Sequence, residues 1–123
     1  MAEKSNKVDL SALQSIDGYV ASALVDSQSG MALAQHGGGN INLEVAAAGN
    51  TDVLRSKRKV VQNLSLNDTI EDVLISLTKQ YHLLRPLESN QDLFIYLALD
   101  RDKANLAMAR HELRTFEKNT DFS

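Results

Sequence analysis

The sequence predicts an α+β domain in which a five-stranded, mainly antiparallel sheet lies between one long helix and two shorter helices. Three observations lead to this prediction: apolar residues follow helical spacing in three segments, strand-like runs occur in five, and Leu93–Leu99 is apolar at every position. A run that is apolar on both faces is typical of a central strand. Because a sheet must bury both faces, helices are expected on each side of it.

The first half of the chain predicts a helix, a hairpin and the long helix. Val8–Ile16 has the apolar spacing of a short helix. Tyr19–Asp26 and Met31–Gln35 are predicted strands, joined by a turn rich in serine and glycine. His36–Asn40 then breaks regular structure, and Asn42–Leu64 is the longest helix.

The long helix, with Asn40 or Asn42 as its expected N-cap, carries an apolar stripe with two polar interruptions. Asn50 and Lys57 lie in a coiled-coil-like row, where a helix that only covers its own sheet would tolerate them poorly. A helix that also contacts a partner helix could use them to set the register, and the small residues of Ala46–Gly49 would allow close approach. The alternative is that both polar residues merely edge the stripe.

The second half predicts three strands and a helix, which completes the order α-β-β-α-β-β-β-α. Thr69–Lys79 is long and apolar on both faces, so at a sheet edge it could pair with the same strand of another copy. His82–Leu87 contains Pro86, which belongs at a strand end or an unpaired position. Leu93–Leu99 is the central strand, and Asp102 is the expected cap of a last helix to about Glu117.

Composition limits the classes of function. The 123 residues fit one domain, predicted over residues 8–117, with flexible ends at 1–7 and 118–123. The net charge of −3 disfavours a general nucleic-acid or membrane-surface binder. The absence of cysteine excludes thiolate catalysis and cysteine metal sites. The N-terminal sequence lacks the apolar stretch of a signal peptide, so a cytoplasmic location and no membrane insertion are expected.

The glycine-rich segment offers the nearest approach to a catalytic motif. His36–Gly39 matches the HGGG oxyanion element of some esterases, but the G-x-S-x-G nucleophile motif of that class is absent. A phosphate-binding loop would end in Gly-Lys-Ser/Thr, which is also absent. His36, His82 and His111 do not stand at metal-ligand spacing. The sequence therefore predicts no catalytic residue, no metal site and no cofactor.

The densest charge cluster lies in the second half of the long helix. At about 100° per residue, one face carries three cations: Arg55, Arg58 and Lys59. Lys57 points nearly to the opposite side. The three cations are the candidate residues for an acidic partner; the alternative is a solvated helix face whose charges suit the helix dipole.

The whole pattern resembles the roadblock family, named for a light chain of dynein. The resemblance covers Leu10–Glu117 and rests on these segments: Ile16–Asp26 with Ser29-Gly30, Glu44–Gly49, Tyr81–Leu87, Leu93–Leu99 and the helix from Asp102. It implies a roadblock/profilin-like sheet between one long helix and two others. It also implies a homodimer or a heterodimer with a paralogue, in which third strands pair and long helices lie side by side.

The interface expected between two copies joins residues of the long helix and of the third strand. It comprises Ala46, Asn50, Val53, Leu54, Lys57, Val61, Asp72, Leu74, Ser76 and Thr78. Family members are mostly non-enzymatic scaffolds or regulators of Ras-like small GTPases. The resemblance therefore implies a dimeric binding module for such a GTPase. The alternative is a scaffold or sensor subunit of a signalling or motor complex without one, and a hydrolase that uses His36 is a distant third.

Overall fold

A computed structural model describes residues 8–123, and it confirms the predicted α+β class and order of elements. In chain order, the elements are a 3₁₀ helix at Leu10–Ser15, β1 at Tyr19–Asp26, β2 at Met31–Gly37, α1 at Leu43–Asn63, β3 at Val73–Ser76, β4 at Gln80–Pro86, β5 at Leu93–Asp100 and α2 at Leu106–Lys118. Expectations about residues 1–7 lie outside the described part of the chain.

The five strands form one sheet in the order β2-β1-β5-β4-β3, and every neighbouring pair is antiparallel. β5 lies at the centre, and Leu93–Leu99 is buried along its whole length, as its two apolar faces predicted. Pro86 is the last residue of β4, a position where the missing backbone N–H of proline does not interrupt the hydrogen bonds between strands. The two edges of the sheet are β2 and β3.

The core has two layers, one on each face of the sheet. The 3₁₀ helix and α2 cover one face, where Leu13 and Leu113 pack in the same cluster as Leu97. α1 covers the other face over β1 and β2, and Leu54 packs there in the cluster of Phe94. The predicted arrangement of one long helix opposite two shorter ones is therefore present.

The glycine-rich connection is partly strand, unlike the prediction. β2 continues through His36 to Gly37, which ends the strand at a φ of +71°. A Cβ at Gly37 would lie 2.6 Å from the carbonyl oxygen of Val20, so only glycine fits there. Of the two predicted caps of α1, Asn42 is the one present: its Oδ1 accepts from the backbone N–H groups of Glu44 and Val45.

Three other boundaries differ from the prediction because local hydrogen bonds decide them. The first helix is a short 3₁₀ helix, capped by Asp9, whose carboxylate accepts from Ser11 N–H. The third strand has four residues instead of eleven, since a turn closed by Leu77 N–H and the Gln80 carbonyl follows it. The last helix is capped by Asn105 instead of Asp102, and Asn105 Oδ1 accepts from Met108 N–H.

Within the C-terminal residues 119–123, Phe122 packs against the core, and the expectation of a flexible end at 118–123 stays a prediction. α2 itself extends to Lys118. Phe122 packs against the core cluster under α2, and its ring meets that of Phe116 edge to face at 6.2 Å between centroids. An ion pair between Arg85 and Glu117, at 2.9 Å, fixes the end of α2 to β4 beside this segment.

Candidate interaction surface on α1 and β3

The face of α1 that packs on the sheet is narrow. Its buried residues are Leu43, Ala47, Thr51 and Leu54. The polar Thr51 is satisfied within the helix, since its hydroxyl donates to the Ala47 carbonyl at 2.7 Å. The apolar residues that lie beside this face are not covered: Val53 is 39% exposed and Val60 is 44% exposed.

Val53 and Val60 border a groove between α1 and the start of β3. The groove has a volume of about 690 Å³, and it is lined from the helix by Asp52, Val53, Ser56, Lys57 and Val60, and from the other side by Ile70, Asp72 and Val73. The helix and the strand that the sequence predicted to form an interface therefore meet at one surface. The prediction that Lys57 points away from the other cations agrees with its place in this groove.

β3 presents a free backbone edge at the same place. Leu77 N–H donates to the Gln80 carbonyl, which sets the phase of the antiparallel ladder between β3 and β4. In that hydrogen-bonding pattern the backbone groups of Val73 and Ile75 form hydrogen bonds with β4, while the N–H and C=O groups of Leu74 and Ser76 point away from β4. These outward groups can pair with a further strand.

The structure separates the predicted interface residues into those at this surface and those with other roles. Leu54 is a correction: it is fully buried against the sheet, so its side chain cannot reach a partner. Asp72 precedes β3 and forms a two-point ion pair with Arg110 of α2, at 2.9 and 3.2 Å. Thr78 lies in the turn after β3.

The remaining predicted interface residues stay on the helix or at the strand edge. Asn50 is half-buried, and its amide donates to the Ala46 carbonyl at 2.8 Å. Val61 is partly buried next to the C-terminal end of the helix, where it lines a polar pocket with Arg58. Asn50 and Val61 thus edge the buried face, whereas Lys57, the second polar interruption, lines the groove. Both interpretations of the polar interruptions stay predictions.

The three cations lie on the opposite flank of α1, where two of them brace other parts of the chain. Arg55 donates to the Gln28 carbonyl in the β1–β2 turn at 2.8 Å. Arg58 donates to the Gln91 carbonyl before β5 at 2.6 Å. Partial burial lowers the pKa of the Arg58 guanidinium, and the nearby Asp92 carboxylate opposes that shift. Lys59 is exposed.

Structural comparison identifies the fold. A Roadblock/LC7 domain from Streptomyces avermitilis superposes with a TM-score of 0.77 at 15% identity, covering 88% of both chains. The gliding protein MglB from Thermus thermophilus gives a TM-score of 0.76 at 13% identity, covering 95% of this chain and 85% of that one. A structure described as MglB with a tetrameric arrangement gives 0.75 at 13% identity, covering 89% and 79%. The chain has the roadblock fold.

The roadblock fold is recognised from structural similarity, because no protein-family model and no curated protein matches the sequence. Within the fold, sequence reasoning missed five groove residues: Asp52, Ser56, Val60, Ile70 and Val73. The seven-residue repeat of apolar pairs contained the relevant signal for the helix. In each pair the first member, Val53 or Val60, lies at the groove, while the second is turned toward the sheet.

The histidine of the glycine-rich segment belongs to a polar array on β1 and β2. Tyr19 Oη lies 3.0 Å from His36 Nδ1 and 2.7 Å from Ser22 Oγ. Ser22 is fully buried, so no substrate carbonyl can reach its hydroxyl. The array therefore links β1 to the edge strand β2 and does not form the nucleophile–base pair of a hydrolase.

Metal-binding clusters and membrane-spanning helices are both absent from residues 8–123. Across this part of the chain, no group of three or more histidine or acidic side chains is placed to hold a metal ion. Over the same residues, no helix has the length and apolar character needed to cross a bilayer.

Proposed function

We propose that this chain is a non-enzymatic, self-associating regulator or scaffold that binds a Ras-like small GTPase. One observation carries the proposal: an apolar groove on α1 lies directly beside the unpaired backbone edge of β3. The groove exposes apolar surface to water, and the strand edge offers unpaired N–H and C=O groups. A second chain can cover the first and pair with the second. The roadblock fold adds support, since the resemblance noted above implies this mode of assembly.

The partner class is supported by the fold and by the charge of α1. The structures that share the fold include a gliding protein, MglB, and one MglB structure has a tetrameric arrangement. Arg55 and Arg58 hold their guanidinium groups at the protein surface through carbonyl contacts. Fixed cations on a helix suit a partner surface that carries carboxylates or phosphate. If hydrolysis is stimulated, we expect the chain to orient the GTPase's own catalytic groups without donating a catalytic residue.

The first experiment identifies the GTPase and its nucleotide state. The tagged chain is used to capture proteins from its native lysate, once with a non-hydrolysable GTP analogue and once with GDP. We expect one small GTPase to be enriched in one of the two states, and binding is then measured with both proteins purified. Reproducible capture of other proteins without a GTPase would overturn this partner class and favour a scaffold of another complex.

The second experiment locates the contact. Arg55→Glu reverses a charge outside the groove, and Arg114→Glu makes the same change at an exposed site on α2. We expect Arg55→Glu to weaken binding of the purified GTPase about tenfold and Arg114→Glu to leave it unchanged. The solution mass of both variants should equal that of the parent. Equal affinities for the two variants would remove the basic flank from the contact.

A further inference from the structure

We infer that the cavity at the end of α2 is a docking site for an extended peptide of a partner protein, in which an acidic residue directly precedes an aromatic one. The chain's own residues 120–123, which include Asp121 and Phe122, occupy part of this site and compete with such a peptide. The inference is independent of the proposed self-association and GTPase binding, because the cavity lies on the sheet face that α2 covers, opposite the groove.

The cavity lies between the end of α2, the loop that joins β4 to β5, and residues 120–123. Its volume is about 520 Å³, and all four residues of the 120–123 segment line one side of it. The other side is formed by the body of the protein, including Arg85 of β4 and Ser89 of the loop. Because open space remains beside the segment, a longer peptide has room to make contacts that the segment does not make.

The aromatic part of the site is the place that Phe122 occupies. Its ring is partly buried against the core cluster under α2, and it meets the Phe116 ring edge to face, with 6.2 Å between the centroids. This geometry is favoured between aromatic rings, so the site prefers an aromatic side chain to an aliphatic one. Phe116 belongs to α2, and it therefore stays in place when Phe122 leaves.

The charged part of the site suits a carboxylate. Outside the 120–123 segment, the charged residues that line the cavity are three cations, Arg85, Arg114 and Lys118, and two carboxylates, Glu88 and Glu117. The lining thus has an excess of one positive charge in a chain whose net charge is −3. Asp121 supplies the matching negative charge, directly before the aromatic residue.

Arg85 is the most firmly held of these cations. It is 5% exposed, and its Nε donates to Glu117 Oε1 at 2.9 Å. The other oxygen of Glu117 accepts from the backbone N–H of Glu88 at 2.7 Å, so the acceptor is fixed as well. Arg85 Nη2 lies 3.9 Å from the Glu88 carboxylate, which is beyond hydrogen-bond distance. A buried guanidinium at the wall of a cavity is well suited to recognise the carboxylate of an occupant.

The 120–123 segment is held in a way that permits exchange. Thr120 Oγ1 donates to the Phe116 carbonyl at 2.6 Å, and Asp121 Oδ1 accepts from Ser123 N–H at 2.9 Å, so both hydrogen bonds are local. Asp121 and Ser123 are exposed, and Phe122 reaches the core. Short segments after a helix that are fixed by one side chain open at low free energy. A partner peptide that supplies the same ring and carboxylate can therefore replace this one.

Competition within the chain sets the size of the expected effect. A segment tethered beside its own site acts at an effective concentration of about 1 mM. With a dissociation constant of about 0.1 mM for the untethered segment, the tethered copy weakens the binding of a free peptide about tenfold. Removal of the tethered ring should restore that factor.

Fluorescence tests the displacement, because the chain has no tryptophan and Phe122→Trp supplies a single reporter. In the full chain we expect the bound indole to emit at a shorter wavelength than an indole in water and to resist quenching by acrylamide. A free peptide with the sequence of residues 119–123, Asn-Thr-Asp-Phe-Ser, should shift the emission to longer wavelength at millimolar concentration. The same peptide with alanine in place of phenylalanine is the control, and it should cause no shift.

A second variant tests the site without the larger indole ring. Phe122→Ala removes the competing ring from the full chain, whereas Ser123→Ala leaves it in place. We expect Phe122→Ala to bind the free peptide about tenfold more tightly than the parent protein, as measured from the NMR shifts of backbone amides near Phe116. Ser123→Ala should bind the peptide like the parent. Equal affinities of Phe122→Ala and the parent would overturn the competition.

Charge exchange tests the preference for an acidic residue. In the Phe122→Ala protein, asparagine in place of aspartate in the peptide should weaken binding about fivefold, and so should the additional change Arg114→Glu. Arg55→Glu, on α1, is the matched control and should leave peptide binding unchanged. Equal binding of the aspartate and asparagine peptides would overturn the acidic preference. A peptide that neither binds Phe122→Ala nor shifts the indole emission at several millimolar would show that the 120–123 segment is a fixed part of the fold, and would overturn the docking site.

Discussion

The two flanks of α1 differ in whether the chain satisfies them by itself. On the basic flank, Arg55 and Arg58 donate hydrogen bonds to backbone carbonyls of two loops in the same chain. On the apolar flank, Val53 and Val60 stay exposed at a groove that no described segment fills. Isolated exposed apolar side chains are common, but these lie together and beside a free strand edge.

This difference shows that the densest charge cluster and the surface proposed for self-association need not coincide. The cations attract notice in the sequence, yet two of them hold the helix to its own loops. The apolar flank is inconspicuous in the sequence, yet covering this flank with another chain lowers the free energy of the system. The following predictions test this assignment, beginning with the largest expected effect.

The contrast is sharpest between neighbouring residues on α1. Leu54→Ala should lower the free energy of unfolding by about 3 kcal/mol, because Leu54 is fully buried and its removal leaves a cavity. Val53→Ala should change it by less than about 1 kcal/mol, because the side chain is partly exposed and alanine favours the helix. Urea unfolding at a concentration where the protein is monomeric measures both. Equal losses would mean that Val53 is a core residue and that the groove side is not a free surface.

The strand edge provides the next contrast. Leu74→Pro removes an N–H that points away from β4, so it should weaken self-association at least tenfold while the fold persists. Val73→Pro removes an N–H bonded to β4 and should unfold or strongly destabilise the protein. Sedimentation gives the mass, and far-UV circular dichroism gives the fold. A folded Leu74→Pro variant that remains dimeric would place the interface elsewhere.

The order of elements was predictable because it depends on local periodicity. The boundaries were not, since individual hydrogen bonds decide them, some local and some between residues far apart in the sequence. The third strand is shorter than its alternating pattern because Asp72 turns toward Arg110 of α2, which lies 38 residues away. The last helix begins at Leu106, after the Asn105 cap, because the backbone N–H groups of Lys103 and Ala104 bond to the Asp100 carbonyl in a turn.

The candidate surface was predictable in part for a related reason. The repeat of apolar pairs identified the helix as amphipathic, but two adjacent apolar residues leave the rotation of the helix open. Packing of Leu54 against Phe94 and its neighbours sets that rotation, and it turns Val53 outward. For this reason the sequence named Leu54 as an interface residue and did not name Val60.

The basic flank gives a smaller effect than the core or the strand edge. Arg58→Ala should lower the free energy of unfolding by about 1 kcal/mol, because the hydrogen bond to the Gln91 carbonyl is lost. Lys59→Ala, one residue away and exposed, should change it by less than about 0.5 kcal/mol. Thermal unfolding of both variants compares them directly. No loss for Arg58→Ala would mean that the hydrogen bond to the Gln91 carbonyl does not brace the helix.

The smallest expected effect concerns a titratable side chain on the sheet face that α1 covers. His82 is half-buried on β4, close to Gln80 Oε1 at 2.9 Å and to the Tyr96 hydroxyl at 3.3 Å. Burial lowers the pKa of His82 and raises the pKa of Tyr96 to about 12, so the tyrosine stays neutral and supplies no negative charge. Unlike Arg58, which has Asp92 nearby, His82 has no carboxylate among these contacts.

Protonation of His82 should therefore oppose folding. Above pH 6.5 the imidazole is neutral in both states, and stability is unaffected. As the pH falls below 6.5, the unfolded chain binds the proton first, so stability should decrease until the pH passes the lower pKa of the folded state. We expect urea unfolding to show a loss of stability between pH 7 and 5 that His82→Gln reduces and that His111→Gln, at an exposed site, retains. If His82→Gln leaves the pH dependence unchanged, protonation of His82 does not oppose folding. The contrast with the basic flank would then not extend to the strands.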